Sequence, residues 1–321
     1  MLTYYTECGM IHIEVMIMLI KEASRKWNIS ERRIRKLIQD NRIPEANKMG
    51  LSWIIPNDTD KPIDKRFKDL SEYIIDLPTN YFEEIDNKLA KLNSKRPLPE
   101  ATLKSLKESN ILDWTYNSNA IEGNTLTLRE TKVVLEGITI GGKSVNEHLE
   151  VINHKEAILF LEDLVNKDED ITEWNIKNIH ALILKEIDSA NAGIYRKQNV
   201  QISGATKKPC DYTKVPEEME KLVLKYNDWK EYHPIIRSAL LHGEFVFIHP
   251  FIDGNGRTAR LLMNFEAMKS GYLPIIIRKE IRIKYYDALD KAMTTHDYTD
   301  FIKILVEEEN KILDQYLEII K

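Results

Sequence analysis

The chain has 321 residues and a mass of 37.5 kDa, enough to bury a sizeable core in one large domain or two unequal ones. With 43% hydrophobic and 30% charged residues, 12 Gly and 11 Pro, the composition excludes collagen, low-complexity disorder and repeat arrays. The net charge of −5 hides an asymmetry: residues 20–68 carry thirteen Lys/Arg against seven Asp/Glu, whereas residues 69–321 carry thirty-three against forty-two.

Two cysteines, Cys8 and Cys210, are too few for a disulfide framework or a cysteine-rich zinc site, which fits a reducing cytoplasm. The apolar run over residues 10–20 is eleven residues long and contains His12 and Glu14. It has neither the flanks of a signal peptide nor the length of a membrane span. Met16 and Met18 stand just before the first helical pattern, so the leading residues read as a dispensable extension or an upstream start.

In chain order, residues 20–28 form a short amphipathic stretch, and Ser30 is placed to cap a second helix. In that helix Arg32, Arg33, Arg35 and Lys36 face out while Ile34, Leu37 and Ile38 face in. A turn at Asn47-Lys-Met-Gly50 leads into a brief strand, Leu51-Ser-Trp-Ile-Ile-Pro56. The order Lys21-Glu-Ala-Ser, Trp27-Asn-Ile-Ser30, arginine helix, Ile43-Pro, Gly50, Trp53-Ile-Ile-Pro56, Lys61-Pro62 resembles the excisionase-like winged helix-turn-helix modules, close to the MerR type. The resemblance assigns residues 1–66 to such a module and implies that the arginine helix enters a DNA groove, with Lys48 and its neighbours on phosphates. The alternative is a solvated basic helix in a module that docks proteins.

Residues 67–98 read as a polar helical linker ending at Pro97-Leu-Pro99. A helix is expected from Glu100, with a stripe of Leu103, Leu106, Ile111 and Trp114 and a stop at Gly123. Further helical patterns cover 127–136, 147–166, 173–187, 216–228, 234–248, 257–270, 280–293 and 298–320, giving an all-α body. One segment departs from that period. Residues 193–204 alternate and are partly β-branched, which predicts a β-hairpin flap running into a turn-rich stretch that ends near 215.

The densest chemistry is His249-Pro-Phe-Ile-Asp-Gly-Asn-Gly-Arg-Thr-Ala-Arg260, a loop between two apolar helices. The second helix points its free N–H groups into that loop, which makes an anion site by geometry. Gly254 and Gly256 let the main chain approach phosphate oxygens, Asn255 carries an amide donor, and Arg257 and Arg260 lie three apart on the first helical turn. Asp253 offers a hard carboxylate for Mg²⁺, and His249 can act as a base near neutral pH. Singly, each feature is more often a turn, a helix end or a solvated face. Together they form a phosphate cradle with a base beside it.

This stretch resembles the signature of the Fic family, nucleotidyltransferases that mostly attach AMP to protein hydroxyls. The resemblance covers about residues 100–300 and implies a helical bundle that uses ATP and Mg²⁺. It implies His249 as the base for a Tyr, Thr or Ser hydroxyl, and Asp253 as the metal ligand. Gly254, Asn255, Gly256 and Arg257 would hold the phosphates, and Arg260 would pair with the γ-phosphate. The flap residues Val200, Gln201, Ile202 and Ser203 would line the nucleotide and pair with the target segment, and Tyr285 and Tyr286 would border the adenine. Met293 stands where the family has an asparagine.

Ser118-Asn-Ala-Ile-Glu122-Gly123-Asn124 resembles the family's inhibitory motif, with Ser118 and Glu122 on one helix face. The implied brake is a contact from Glu122 to Arg260 that denies the arginine to ATP. In some relatives the same glutamate orients a water that removes AMP, and the sequence does not choose between the roles. The partners to consider are ATP, a protein substrate that includes the chain itself, DNA, and a second copy of the chain. A competing reading is a DNA-binding regulator whose helical body senses nucleotide.

Overall fold

The computed structural model describes residues 17–27, 29–39, 43–50, 52–59, 72–202 and 204–320. Cys8, Met16, the Lys61-Pro62 pair and Ser203 lie outside the described residues. The chain divides into two units, Met1–Leu70 and Ser71–Lys321.

In the first unit, β1 (Ile17–Leu19) runs directly into α1 (Ile20–Trp27), followed by α2 (Glu31–Gln39), β2 (Asn47–Met49) and β3 (Ser52–Pro56). The strands form an antiparallel sheet in the order β1-β3-β2, with Met18 opposite Ile55 and Lys48 opposite Trp53. β1 has no counterpart in the sequence reading, because three residues are too few to show alternation. Ala23, Trp27, Ile34, Leu37 and Ile55 make the small core. Arg32, Arg35 and Lys36 are exposed and Arg33 is half-buried, with Arg35 Nη2 donating to Glu31 Oε2 at 2.8 Å.

The second unit is helical: α3 (Glu83–Asn93), α4 (Glu100–Ile121), α5 (Leu128–Leu135), α6 (Val145–Asn166), α7 (Glu173–Ile183), α8 (Val215–Asp228), α9 (Pro234–Ile248), α10 (Asn255–Lys269), α11 (Arg282–Thr295) and α12 (Thr299–Ile319). α5 and α6 each open with a capping box, Thr127 with Glu130 and Ser144 with Glu147, in which side chain and backbone satisfy each other's free groups. α3, expected as part of a polar linker, is a wall of the body. Its Ile85, Leu89 and Leu92 are buried on one stripe against α12, and Lys88 Nζ bonds Asn310 Oδ1 at 3.0 Å.

α9 and α10 form the centre of this unit, surrounded by α4, α6, α7, α8, α11 and α12. α10 buries nearly every face, including Arg257, Thr258, Arg260, Asn264 and Glu266. Such polar burial requires partners: Asn264, for example, exchanges hydrogen bonds with both backbone groups of Ile275 at 2.7 and 2.9 Å.

The β-hairpin expected over 193–204 is not formed among the described residues; the segment is an irregular loop. Side chains take the groups that a ladder would use. Arg196 Nη1 donates to Gln198 O at 3.0 Å, and Asn199 Oδ1 accepts from Tyr212 N at 2.8 Å while its Nδ2 donates to Asp211. Among the described residues no helix is long and apolar enough to cross a membrane.

Candidate active site

α9 ends on His249, which adopts φ 50°, ψ 60°. A non-glycine residue in the left-handed region costs about 1–3 kcal/mol and persists only when its surroundings hold it. Here its N–H donates to Phe245 O at 3.0 Å and its carbonyl accepts from Arg196 Nε at 2.8 Å. Burial pushes the imidazole down to about 4, outweighing the nearby Val246 backbone, which favours the protonated ring. The ring is therefore neutral at pH 7. Its Nδ1 is buried, which leaves Nε2 to take a proton.

The loop after His249 is braced from below. Phe251 is fully buried and stacks on His180 with centroids 3.6 Å apart and planes 2° from parallel. His180 Nδ1 accepts from Gly193 N at 2.9 Å, so its Nε2 carries the proton and donates to Asp253 O at 2.8 Å. Gly254 adopts φ 73°, and a Cβ there would sit 3.2 Å from both His180 Nε2 and Ile183 Cγ2, so any other residue is strained in backbone and tight in space. The Asn255 carboxamide brackets the Phe251 backbone, accepting at 3.0 Å and donating at 2.9 Å. The side chain thus shapes the loop as well as carrying an amide donor.

α10 starts at this loop with no side-chain cap, so the N–H groups of its first turn lack partners within the helix. Glu122, the residue capping the end of α4, places its carboxylate over that turn. A Cβ at Gly256 would overlap Glu122 Oε1. The same oxygen accepts from Arg260 Nη2 at 2.7 Å. Arg260 is 2% exposed and donates twice more to Ser118, Nε to Oγ at 3.1 Å and Nη2 to the carbonyl at 2.8 Å. Burial alone would lower its pKa; the Glu122 carboxylate and the Tyr285 hydroxyl outweigh burial and hold it above its ordinary value. Two buried histidines nearby, His154 and His242, are held neutral by burial and by the Arg260 charge.

Arg257 is also inside the protein, 3.2 Å from Glu150 Oε1 on α6 and 3.3 Å from Asp253 Oδ2. The two arginines are adjacent, as their spacing requires. Arg260 reaches α4, and Arg257 spans from Glu150 on α6 to Asp253 in the loop, both from an α10 enclosed on nearly all sides. Asp253 keeps a side chain 66% exposed. Val200 and Ile202 are half-buried and Gln201 exposed in the loop that Arg196 ties to His249 and Pro250. Tyr285 is fully buried with its hydroxyl on His242 Nε2 at 2.8 Å, beside the Arg260–Glu122 pair. Tyr286 is 37% exposed and bonds the Ile121 carbonyl.

Three residues of the site carry no signal in the sequence reading: His180, Arg196 and Glu150. Arg196 follows Gly193-Ile-Tyr at the start of the flap, the one feature that marked its neighbourhood. A lone His on an apolar helix marks nothing. The Gly256 contact yields a first test. Gly256→Ala is expected to push Glu122 off Arg260 and to cost about 1–3 kcal/mol in thermal or urea unfolding. In a Glu122→Gly background the same substitution should cost little more, because the contact it breaks is already gone.

Fold and site together define a helical protein with a neutral histidine beside an anion-binding helix start, where its own glutamate now sits. Residues 170–267 match the model of the Fic/DOC family. The protein adenylyltransferase Fic of Nematostella vectensis is 38% identical over 252 residues, 75% of this chain and 56% of that protein. A crystallised Fic domain containing signaling protein from Bacteroides thetaiotaomicron is 30% identical with a TM-score of 0.68, over 74% of this chain and 96% of that one. Fic-1 of C. elegans gives 30% identity and a TM-score of 0.65, over 74% and 71%. The chain belongs to the Fic/DOC family. It spans about half the length of the curated relatives it matches.

Proposed function

We propose that the chain is an autoinhibited protein adenylyltransferase, which transfers AMP from ATP to a Tyr, Thr or Ser hydroxyl of a protein and releases pyrophosphate. The observation that carries this reading is the Glu122 carboxylate on Arg260, over the open first turn of α10 and near a neutral His249. An anion already held there marks the position a phosphate group would take.

In the reaction the hydroxyl proton passes to His249 Nε2 as its oxygen bonds the α-phosphorus, and the bond to the pyrophosphate oxygen breaks. Catalysis then rests on in-line positioning and on charge placed before the reaction begins. The main chain of Asn255 and Gly256 supplies fixed donors, the Gly254 N–H is held on Asp253 Oδ1 at 2.6 Å, and Arg260 pairs with the terminal phosphate once Glu122 leaves. Asp253 fits Mg²⁺, since its exposed carboxylate is a hard donor and this ion commonly binds through one carboxylate plus phosphates and water. Among the described residues no cluster of three His, Cys, Asp or Glu could hold a metal without such help. When bound, the ion supplies positive charge to the triphosphate.

The test is mass spectrometry of the Glu122→Gly protein after incubation with ATP, alone and with lysate. The expected result is an added adenylyl group on a hydroxyl side chain. If the variant gains none and matches His249→Ala in every respect, the reading fails. Loss of AMP from a pre-modified protein, dependent on Glu122, would instead favour the hydrolytic role of that residue. DNA contact by the first unit is a second reading, favoured by the exposed Arg32, Arg35 and Lys36 on α2. It calls for salt-dependent binding that disappears on replacing Arg32, Arg33 and Arg35.

A further inference from the structure

The end of α4 is tied to α10 a second time, at a point the brake described above does not use. Past Gly123, which adopts φ 104°, Asn124 Nδ2 donates to Glu150 Oε2 at 2.8 Å and to Glu147 O at 3.0 Å. The other oxygen of that carboxylate, Glu150 Oε1, lies 3.2 Å from Arg257 Nη1. Arg257 and Arg260 stand three residues apart on α10. α10 therefore reaches the chain on both sides of Gly123, through Arg260 to Glu122 and through Arg257 and Glu150 to Asn124.

We propose that Glu150 is a second latch of the brake, a positioning residue that keeps residues 119–124 against α10 so that Glu122 stays on Arg260. The inference rests on the autoinhibited-transferase reading. The last turn of a helix has carbonyls without helical partners, and it frays unless something beyond it is fixed. Glu122 sits on that turn with a side chain one-third exposed, followed by the residue type with the greatest backbone freedom. One side-chain contact on the near side of such a hinge leaves the far side free to swing. Asn124 limits that freedom through two acceptors: the Glu147 carbonyl ties it to α6, and the Glu150 carboxylate, itself paired with the buried Arg257, ties it to α10. Thr125, held by Glu147 Oε1 at 3.0 Å through its N–H, continues the attachment to α6.

Four proteins decide the matter: the natural chain, Glu150→Ala, Glu122→Gly and the double variant, each assayed for initial incorporation of label from ATP. Glu150→Ala is expected to raise the rate of the natural chain roughly fivefold or more, the scale set by losing one charge-assisted hydrogen bond. In the Glu122→Gly background it should raise the rate no further, because no brake remains to loosen. Glu150→Gln, which keeps an acceptor for Asn124, should give a smaller rise. Amide exchange over residues 119–126 should quicken in Glu150→Ala while α9 stays protected. An unchanged rate in Glu150→Ala overturns the proposal, as does an equal fall in both backgrounds, which would mark Glu150 as a support for Arg257 alone. Should Glu122→Gly take no label, the transferase reading fails separately, and unchanged exchange over 119–126 would still sink the latch.

Discussion

His249→Ala, made in a Glu122→Gly background, is expected to lower AMP transfer by about 10²–10⁴-fold, the usual worth of a placed general base. The unbraked background matters, because a wild-type rate already suppressed leaves little to lose. The substitution should act on kcat far more than on the KM for ATP, since the phosphate-binding main chain lies on α10 and Arg260 is held by α4. A drop in ATP affinity without a drop in kcat would show His249 to be a shaping residue instead.

The pH dependence follows from the same ring. A base works only when unprotonated, and burial lowers His249 from 6.5 to about 4. For the Glu122→Gly protein, kcat/KM should therefore stay level through pH 6.5 and fall only as pH drops toward about 4. Stability has the same sign. In the unfolded chain His180 and His249 bind protons near 6.5, whereas in the folded chain both wait until about 4. The unfolded state thus holds more protons across that window, so stability is lost as pH falls through it. An activity profile that breaks near 6.5 would mean that the catalytic ring is not buried as described.

The helices of the body were legible because their signals are local. Pro234 sits at the first helical position of α9, and α12 repeats its stripe for about six turns, whereas α6, read from 147, begins at Val145 behind a Ser144–Glu147 capping box that the reading did not use. Site composition was legible for the same reason: His249 to Arg260 is one loop and one helical turn. Spacing, however, gives neighbours and not directions. It put Arg257 and Arg260 side by side but could not show that an enclosed α10 turns both inward. Nor could it show that the Asn255 carboxamide would bracket the backbone of Phe251, four residues back. Tyr285 and Tyr286 are consecutive, so on a helix one ring must point about 100° away from the other, and here that difference separates core from surface. His180 meets Asp253 across 73 residues through the fold alone, which no periodicity reports. The flap failed as a hairpin because β-propensity needs a pairing partner, and Arg196 and Asn199 offer the backbone a closer one.

Glu122→Gly is expected to raise AMP transfer by about 10–100-fold, the range that one charge-assisted hydrogen bond of about 1.5–3 kcal/mol supports. The guanidinium should not collapse when the carboxylate goes, since Ser118 Oγ and the Ser118 carbonyl still hold two of its nitrogens and keep it aimed at the start of α10. What it loses is its counter-charge, and a buried arginine without one is costly. The nucleotide-free variant should therefore melt below the natural chain, and MgATP should restore more stability to the variant than to the natural protein, because only there does the phosphate meet an unpaired Arg260. Arg260→Ala in the variant should abolish that differential and return transfer to the braked level or lower. Calorimetry with and without MgATP reads the first pair of effects, and labelled ATP reads the second. Equal stabilisation of both proteins by MgATP, with no rise in transfer, would mean that Glu122 is a structural partner of Arg260 and no brake at all.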